Sequence, residues 1–205
     1  MKMVKIYIEG GGDQNRLRSE CRRAFSKFFE EAGLKGCMPS VIACGSRQNA
    51  YDDFCIAVKN AGKNEIPFLL VDSEGKVSKT NKQHPWEHLK TSDNWEQPKQ
   101  TSDQQAHLMV QMMEAWFMAD KNNLNEFYGK GFNENALPKQ VNIEAIPKDA
   151  LISGLEKASE KTTKGKYGKG AHSLKILEKT DAELVINASA WAKRLVQELK
   201  TILTP

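Results

Sequence analysis

Val4-Lys5-Ile6-Tyr7-Ile8-Glu9-Gly10-Gly11-Gly12-Asp13 reads as a strand, a turn and the start of a helix. The apolar, β-branched run ends in a carboxylate, then come three glycines, then a second carboxylate. A strand, a glycine turn and a helix N-terminus attract anions, because free backbone N–H groups point at the turn. Yet Glu9 and Asp13, on either side of Gly10, Gly11 and Gly12, would repel a bare phosphate. A divalent cation between acids and phosphate removes the conflict. The stretch therefore points to metal-dependent phosphoryl transfer, with the glycine loop beside the cofactor.

Downstream, Leu17, Cys21, Phe25, Phe28 and Ala32 recur at helical spacing, and Gly33 supplies a stop, so 13–33 is expected to be a helix. Residues 40–44 form a short apolar strand closed by Gly45. A second amphipathic helix is expected near 47–61, with Ala50, Phe54, Ala57, Val58 and Ala61 on one face. Residues 66–71 are continuously apolar, as in a strand covered on both faces, and Pro67 near its start is tolerable there. This βαβαβ order predicts a parallel sheet with right-handed crossovers.

Residues 75–105 are polar, with Lys76, Lys79, Lys82, Trp86 and Trp95, and read as a long insertion or loop. Residues 107–111 resume as a fourth strand, followed by a helix over 112–128. Beyond a loop with Gly129, Gly131 and Pro138, helices are expected at 148–160 and 187–203, with a Gly/Lys-rich break at 164–170. The expected fold is α/β: a parallel central sheet flanked by helices over 1–128, and a mostly helical extension over 129–205 packed on it.

The 205 residues suit one domain, and 40% hydrophobic with 27% charged residues is ordinary for a globular chain. No apolar run is long enough to span a bilayer, and the N-terminal residues lead into a strand rather than a secretory core, so a cytoplasmic location is expected. Cys21, Cys37, Cys44 and Cys55 lack C-x-x-C spacing and read as reduced thiols. A net charge of +4 permits a nucleic-acid partner without demanding one. Arg16, Arg18, Arg22, Arg23 and Lys27 cluster in the first helix, and six lysines crowd 157–175.

Val71-Asp72-Ser73-Glu74 ends the most buried-looking strand with two carboxylates. In an open parallel sheet, ligands bind beyond the carboxyl ends of the strands, where the strand order reverses. Glu9, Asp13, Asp72 and Glu74 are expected to converge there, with Glu114 a fifth acid at the fourth strand's exit. Oxygen-rich clusters suit Mg²⁺ or Mn²⁺. Each acid also has a plainer reading: Asp13 as a helix cap, Asp72 and Glu74 as turn residues, Glu114 as a surface charge. Glu9 has none, since an acid between an apolar strand and three glycines lacks an obvious structural role.

Four segments carry a family resemblance: Ile6-Tyr7-Ile8-Glu9-Gly10-Gly11-Gly12-Asp13, Leu70-Val71-Asp72-Ser73-Glu74, Met113-Glu114-Ala115-Trp116-Phe117-Met118-Ala119-Asp120 and Tyr167-Gly168-Lys169-Gly170-Ala171-His172. Over almost its whole length the chain resembles the Toprim-like family called domain of unknown function 4276. The Glu-Gly and Asp-x-Glu elements also resemble the Toprim domain of topoisomerases, primases, OLD-family nucleases and phage-defence effectors. That resemblance implies a Toprim-like fold, with Glu9 as the Toprim glutamate and Asp72 and Glu74 as its metal-binding acid pair. Asp13 matches an additional acid of OLD-type two-metal sites, and Glu114 a later one. Glu74 departs from the usual Asp, and its longer side chain shifts any metal it holds.

In the basic stretch, Lys161, Lys164, Lys166, Tyr167 and Lys169, with His172 close by, read either as a phosphate-contacting segment or as a solvated loop. By the resemblance, Lys166 or Lys169 would stand near the metals, and Lys169 lies in the matching segment. His84 and His88 have the i,i+4 spacing of a zinc pair, but no further ligand is near in sequence, and they read as surface residues. Trp86 and Trp95 could pack the insertion down, stack on bases or face a partner.

The expected activity is Mg²⁺-dependent two-metal cleavage of a DNA or RNA phosphodiester, with Glu9 and Asp13 holding one ion, Asp72 and Glu74 the other, Glu114 bridging or in the outer shell, and Glu9, Asp72 and Lys169 as catalytic residues. The alternative is a non-catalytic metal- or nucleic-acid-binding subunit working with an ATPase protein partner, since the chain has no Walker A sequence. A Rossmann nucleotide site is disfavoured because Gly10-Gly11-Gly12 does not match G-x-G-x-x-G.

Overall fold

The computed structural model describes residues 2–78 and 83–204. Lys79 and Lys82, two of the insertion's lysines, lie outside them. Four strands, β1 (Met3–Gly11), β2 (Ser40–Gly45), β3 (Glu65–Asp72) and β4 (Ala106–Met109), form one sheet in the order β2-β1-β3-β4. Every pairing is parallel, so the α/β expectation holds. Val4, Ile6 and Ile8 alternate inward along β1, while β3 is buried at every position from Pro67 to Asp72, as its unbroken apolar run requires.

The chain leaves β1 for β2 on one side, then crosses back to β3 on the other. Helices α1 (Asn15–Phe29) and α2 (Arg47–Asn60) therefore cover opposite faces. Phe25, Phe28 and Phe29 of α1 enter one core with Ile6, Phe68 and Trp116. Ala50 and Phe54 of α2 enter the other, with Leu69 and Val71. The reversal places the carboxyl ends of β1 and β3 side by side, with Ile8 opposite Leu70.

Two glycines make the close approach of α1 possible. A Cβ on Gly11 (φ +85°) would sit 2.8 Å from the Arg18 Cα, and one on Gly45 (φ +84°) 2.7 Å from the Gly12 carbonyl oxygen. The helix expected over 13–33 stops at Phe29 and continues as a single wide turn, Glu30–Leu34, in which Gly33 takes φ +89°. Gln14, rather than Asp13, stands at the N-cap, and its side chain makes no capping bond.

The polar stretch 75–105 is no free loop where it is described. Helix α3 (Pro85–Asp93) buries Trp86, His88 and Leu89. Trp86 packs on Phe54 at 5.8 Å and Trp95 stacks on Tyr51 at 4.4 Å, so both indoles fasten the segment to α2. Burial of this size makes truncation of either indole cost about 3–5 kcal/mol.

The helix expected over 112–128 is two elements. Residues Met113–Ala119 form 3-10 turns buried on nearly every side, and α4 (Lys121–Tyr128) begins anew. Asp120 causes the restart, its carboxylate accepting from the backbone N–H of Asn123 at 3.1 Å and of Asp181 at 3.0 Å. The C-terminal region holds α5 (Lys148–Ser159), α6 (Lys169–Leu177), α7 (Ala182–Ala188) and α8 (Ala190–Leu203). The sequence reading missed α6 and α7, both shorter than three turns.

Candidate metal centre

Where β1 ends, its pairing slips: Glu9, Gly10 and Gly11 all lie opposite Gly45. This bulge turns the Glu9 side chain towards β3, where its Oε2 accepts from the Asp72 N–H at 3.1 Å. Asp72, the last residue of β3, is buried, and its Oδ1 accepts from the Met113 N–H at 2.8 Å. The next residues are held just as firmly. Ser73 N–H bonds the Met109 carbonyl and Glu74 N–H the Gln111 carbonyl, both at 3.0 Å, and Glu74 takes φ +62°. His88 Nε2 lies 2.8 Å from the Ser73 carbonyl oxygen. Oxygens of Glu9, Asp72 and Glu74 all lie within 4.8 Å of one another as a result.

Each acid faces a cation from another element. Arg47, at the start of α2, grips Asp93 with two bonds of 2.7 Å, reaches Glu9 Oε2 at 3.4 Å and donates to the Asp72 carbonyl. Lys148 donates to Glu74. Lys169 Nζ stands 3.5 Å from Asp72 Oδ2 and 3.9 Å from Glu114 Oε2. Glu114 is wholly buried. Tyr167 donates to its Oε1 at 2.8 Å, while Oε2 has no hydrogen-bond partner. Five carboxylates, Asp93 included, thus share three cations, an excess of two negative charges when all are ionised.

The electrostatics follow from that imbalance. Burial, and then the Glu9 carboxylate, push Asp72 up to about 8, against the pull of Lys169 and the Met113 N–H. Burial also raises Glu9, opposed by Arg47. Lys169 loses by burial but gains more from Glu114 and Asp72, so its ammonium form is favoured. Burial and Glu114 raise the Tyr167 phenol, which stays a donor.

The donor set fits a hard divalent cation. Carboxylate oxygens bound octahedrally to Mg²⁺ at about 2.1 Å lie about 3.0 Å apart when cis and about 4.2 Å when trans, so side chains now within 4.8 Å of one another would close in by up to about 1–2 Å on binding the ion. The excess negative charge and the unpartnered Glu114 oxygen favour the same occupant. Beside the acids opens a cavity of about 250 Å³, walled by Gly10, Gly11, Gly12 and Gly45, with Leu17, Phe25, Met113 and Leu174 among its apolar lining.

The other residues singled out from sequence are placed less uniformly. Asp13 is exposed and outside the group of three close carboxylates. Lys161 is exposed, Lys164 lies over the Phe127 ring at 5.3 Å, and Lys166 pairs with Glu156 at 2.9 Å. Tyr167 is 5% exposed and its hydroxyl donates to Glu114, which corrects both readings of it, as a phosphate contact and as part of a solvated loop. His172 is half-buried, its Nδ1 accepting from Gly168 N–H at 3.2 Å and lying 3.1 Å from the Tyr128 hydroxyl. His84 is exposed and beside Asp103 at 2.9 Å, but His88 is buried, which corrects its reading as a surface residue.

Arg47 and Lys148 were not foreseen. For Arg47 the signal was its place two residues beyond Gly45, at the carboxyl end of β2. Lys148 had none, since only the tertiary fold brings α5 to Glu74.

Fold and site together define an α/β protein with a carboxylate cluster at the reversal point of a parallel sheet. The chain belongs to the family described as Domain of unknown function (DUF4276), which matches residues 8–200. No curated protein and no solved structure matches it. No described helix is long and apolar enough to cross a membrane.

Proposed function

We propose that this protein hydrolyses a nucleic-acid phosphodiester with one Mg²⁺ or Mn²⁺ ion held by Glu9, Asp72 and Glu74. The observation that carries this reading is the convergence of those three carboxylates, with Lys169 3.5 Å from Asp72. The resemblance to Toprim nucleases supports it. When bound, the ion supplies Lewis-acid stabilisation of charge on the phosphoryl oxygens. Lys169 takes the place where a second ion would stand, and its ammonium neutralises the charge that builds on the leaving oxygen. Glu114, anchored by Tyr167, keeps that ammonium charged and in position. With Glu9 holding the ion, the attacking water has its pKa lowered, and its proton passes to solvent in the open cavity. Asp13, exposed next to Gly12, would add negative charge near the site without ligating. The four free thiols suit a reducing cytoplasm.

The test is nicking of supercoiled plasmid and of a labelled RNA by the pure protein. Cleavage is expected with Mg²⁺ or Mn²⁺ and is expected to vanish on chelation. Metal-indifferent cleavage, or none under any condition, contradicts the proposal.

A second reading has one observation in its favour: Arg47, Lys148 and Lys169 already pair with every acid of the cluster without any metal. On that reading the chain is a binding subunit acting with a separate ATPase, as in two-component phage-defence systems, and Lys161, Lys164 and Lys166 hold the nucleic acid. It predicts nucleic-acid retention in chelator, which the same experiment reads.

A further inference from the structure

The cavity beside the acids has a chemistry that a phosphate does not explain. It holds about 250 Å³, the liquid volume of roughly eight waters at ~30 Å³ each. Its charged lining is limited to Glu9, Asp72 and Lys169, and Leu17, Phe25, Met109, Met113 and Leu174 supply apolar lining. A hydrated ion and a phosphate are held by the charged groups, but neither gains from apolar walls, and burying either without polar partners is costly. Whatever fills the apolar part is apolar on its faces and attached to a phosphate.

We infer that the cavity is a subsite for a single unstacked nucleobase, that of the nucleotide next to the scissile phosphate. This inference rests on the reading of the charged groups as a phosphodiester site. The cavity's volume of about 250 Å³ admits a nucleobase ring system. Three features of the walls suit a flat ring. Gly10, Gly11 and Gly12 bring backbone without side chains, the buried Phe25 backs the wall from the core, and the methionines and leucines are apolar. Polar groups able to read a base edge are scarce. The Ser173 hydroxyl, the one side-chain hydroxyl in the lining, is spent on the Lys169 carbonyl. The subsite therefore demands a base without choosing among bases, and the substrate is a single strand or an end from which a base can leave the stack.

The experiment has a binding arm and a cleavage arm. In Mg²⁺ buffer, the four nucleoside monophosphates are expected to bind the wild-type protein about tenfold more tightly than ribose 5-phosphate, with little spread among the four. Leu17→Trp, on the half-exposed start of α1, is expected to fill the cavity. It should erase that preference while keeping Mn²⁺ affinity and melting temperature, and Leu17→Phe should erase part of it. On oligonucleotides with one abasic position, cleavage should slow about tenfold at the bond beside the gap, and Leu17→Trp should cleave intact and abasic strands alike. Equal binding of ribose 5-phosphate and the monophosphates, with cleavage indifferent to the gap, would overturn the subsite and leave the nuclease reading standing. Base-dependent binding without cleavage would overturn the nuclease reading and leave the subsite.

Discussion

Arg47 and Arg194 are both half-buried arginines beside an indole, Arg47 4.8 Å from Trp95 and Arg194 5.5 Å from Trp191, yet they do opposite work. Arg194, on α8, donates to the carbonyls of Ala106 and Asp103 and to His107 Nδ1 at 3.0 Å. Every one of those partners is neutral, and burial lowers the Arg194 pKa. His107 is kept neutral by burial and by Arg194, and its Nε2 lies 2.9 Å from the Gln104 carbonyl oxygen, which it faces as donor. Arg47 instead holds two carboxylates and the backbone of a third acid. A cation satisfied by backbone is a fastener. A cation sharing a crowd of carboxylates belongs to a charge balance that a ligand can shift.

The largest expected difference lies in pH dependence, where the two regions carry opposite signs. Asp72 is near 3.8 when unfolded and near 8 when folded, so the folded state binds the extra proton between those values. Its contribution is complete below about 3.8 and is lost as pH rises towards 8, costing several kcal/mol at ~1.4 kcal/mol per unit. His107 is depressed from 6.5, so its contribution is present above that value and is lost as pH falls. Denaturant melts of the metal-free protein should show both limbs. In Asp72→Asn the loss of stability between about pH 4 and 8 should shrink, leaving the smaller part due to Glu9, and the acid limb should remain. An unchanged alkaline limb would mean that the acid cluster carries no strain.

Next in size, Glu9→Gln and Asp72→Asn should each cut metal-dependent cleavage by at least about 100-fold, beyond the 10–100-fold typical of groups that only orient a ligand. Melting in chelator should be unchanged or higher, because a mutual repulsion is gone. Loss of fold together with activity would make both residues structural.

Arg194→Ala should lower stability by about 2 kcal/mol, through two carbonyls and a ring nitrogen left without a donor. Calorimetric Mn²⁺ affinity should not move. The smallest effect is expected from Arg47→Met, which should raise Mn²⁺ affinity several-fold by removing a charge that competes for Glu9. If that affinity stays at the wild-type value, Arg47 is a fastener like Arg194 and the comparison fails.

What sequence could reveal divides along the same line. The three first strands, α1 and α2 were legible because apolar periodicity and glycine stops are local signals. The meeting of Glu9 with Asp72 followed from topology, since reversal of strand order sets β1 beside β3. Partners depending on distant packing were not legible. Lys148 reaches Glu74 across 74 positions, and Tyr167 reaches Glu114 across 53. Tyr167 misled for a physical reason: a tyrosine among lysines and glycines looks solvated until a buried carboxylate is found to need its hydroxyl. The stretch 75–105 misled similarly, because its polar composition hid the burial that Trp86, Leu89 and Trp95 carry.

The central claim is that Glu9, Asp72 and Glu74 form one cation site with Lys169 in place of a second ion. Crystals grown with Mn²⁺ test it most directly, through anomalous scattering at the manganese edge. The account predicts a single peak about 2.2 Å from one oxygen of each of the three acids, Lys148 swung away from Glu74, and Lys169 still beside Asp72. No peak there, or two peaks with Lys169 expelled, would contradict it.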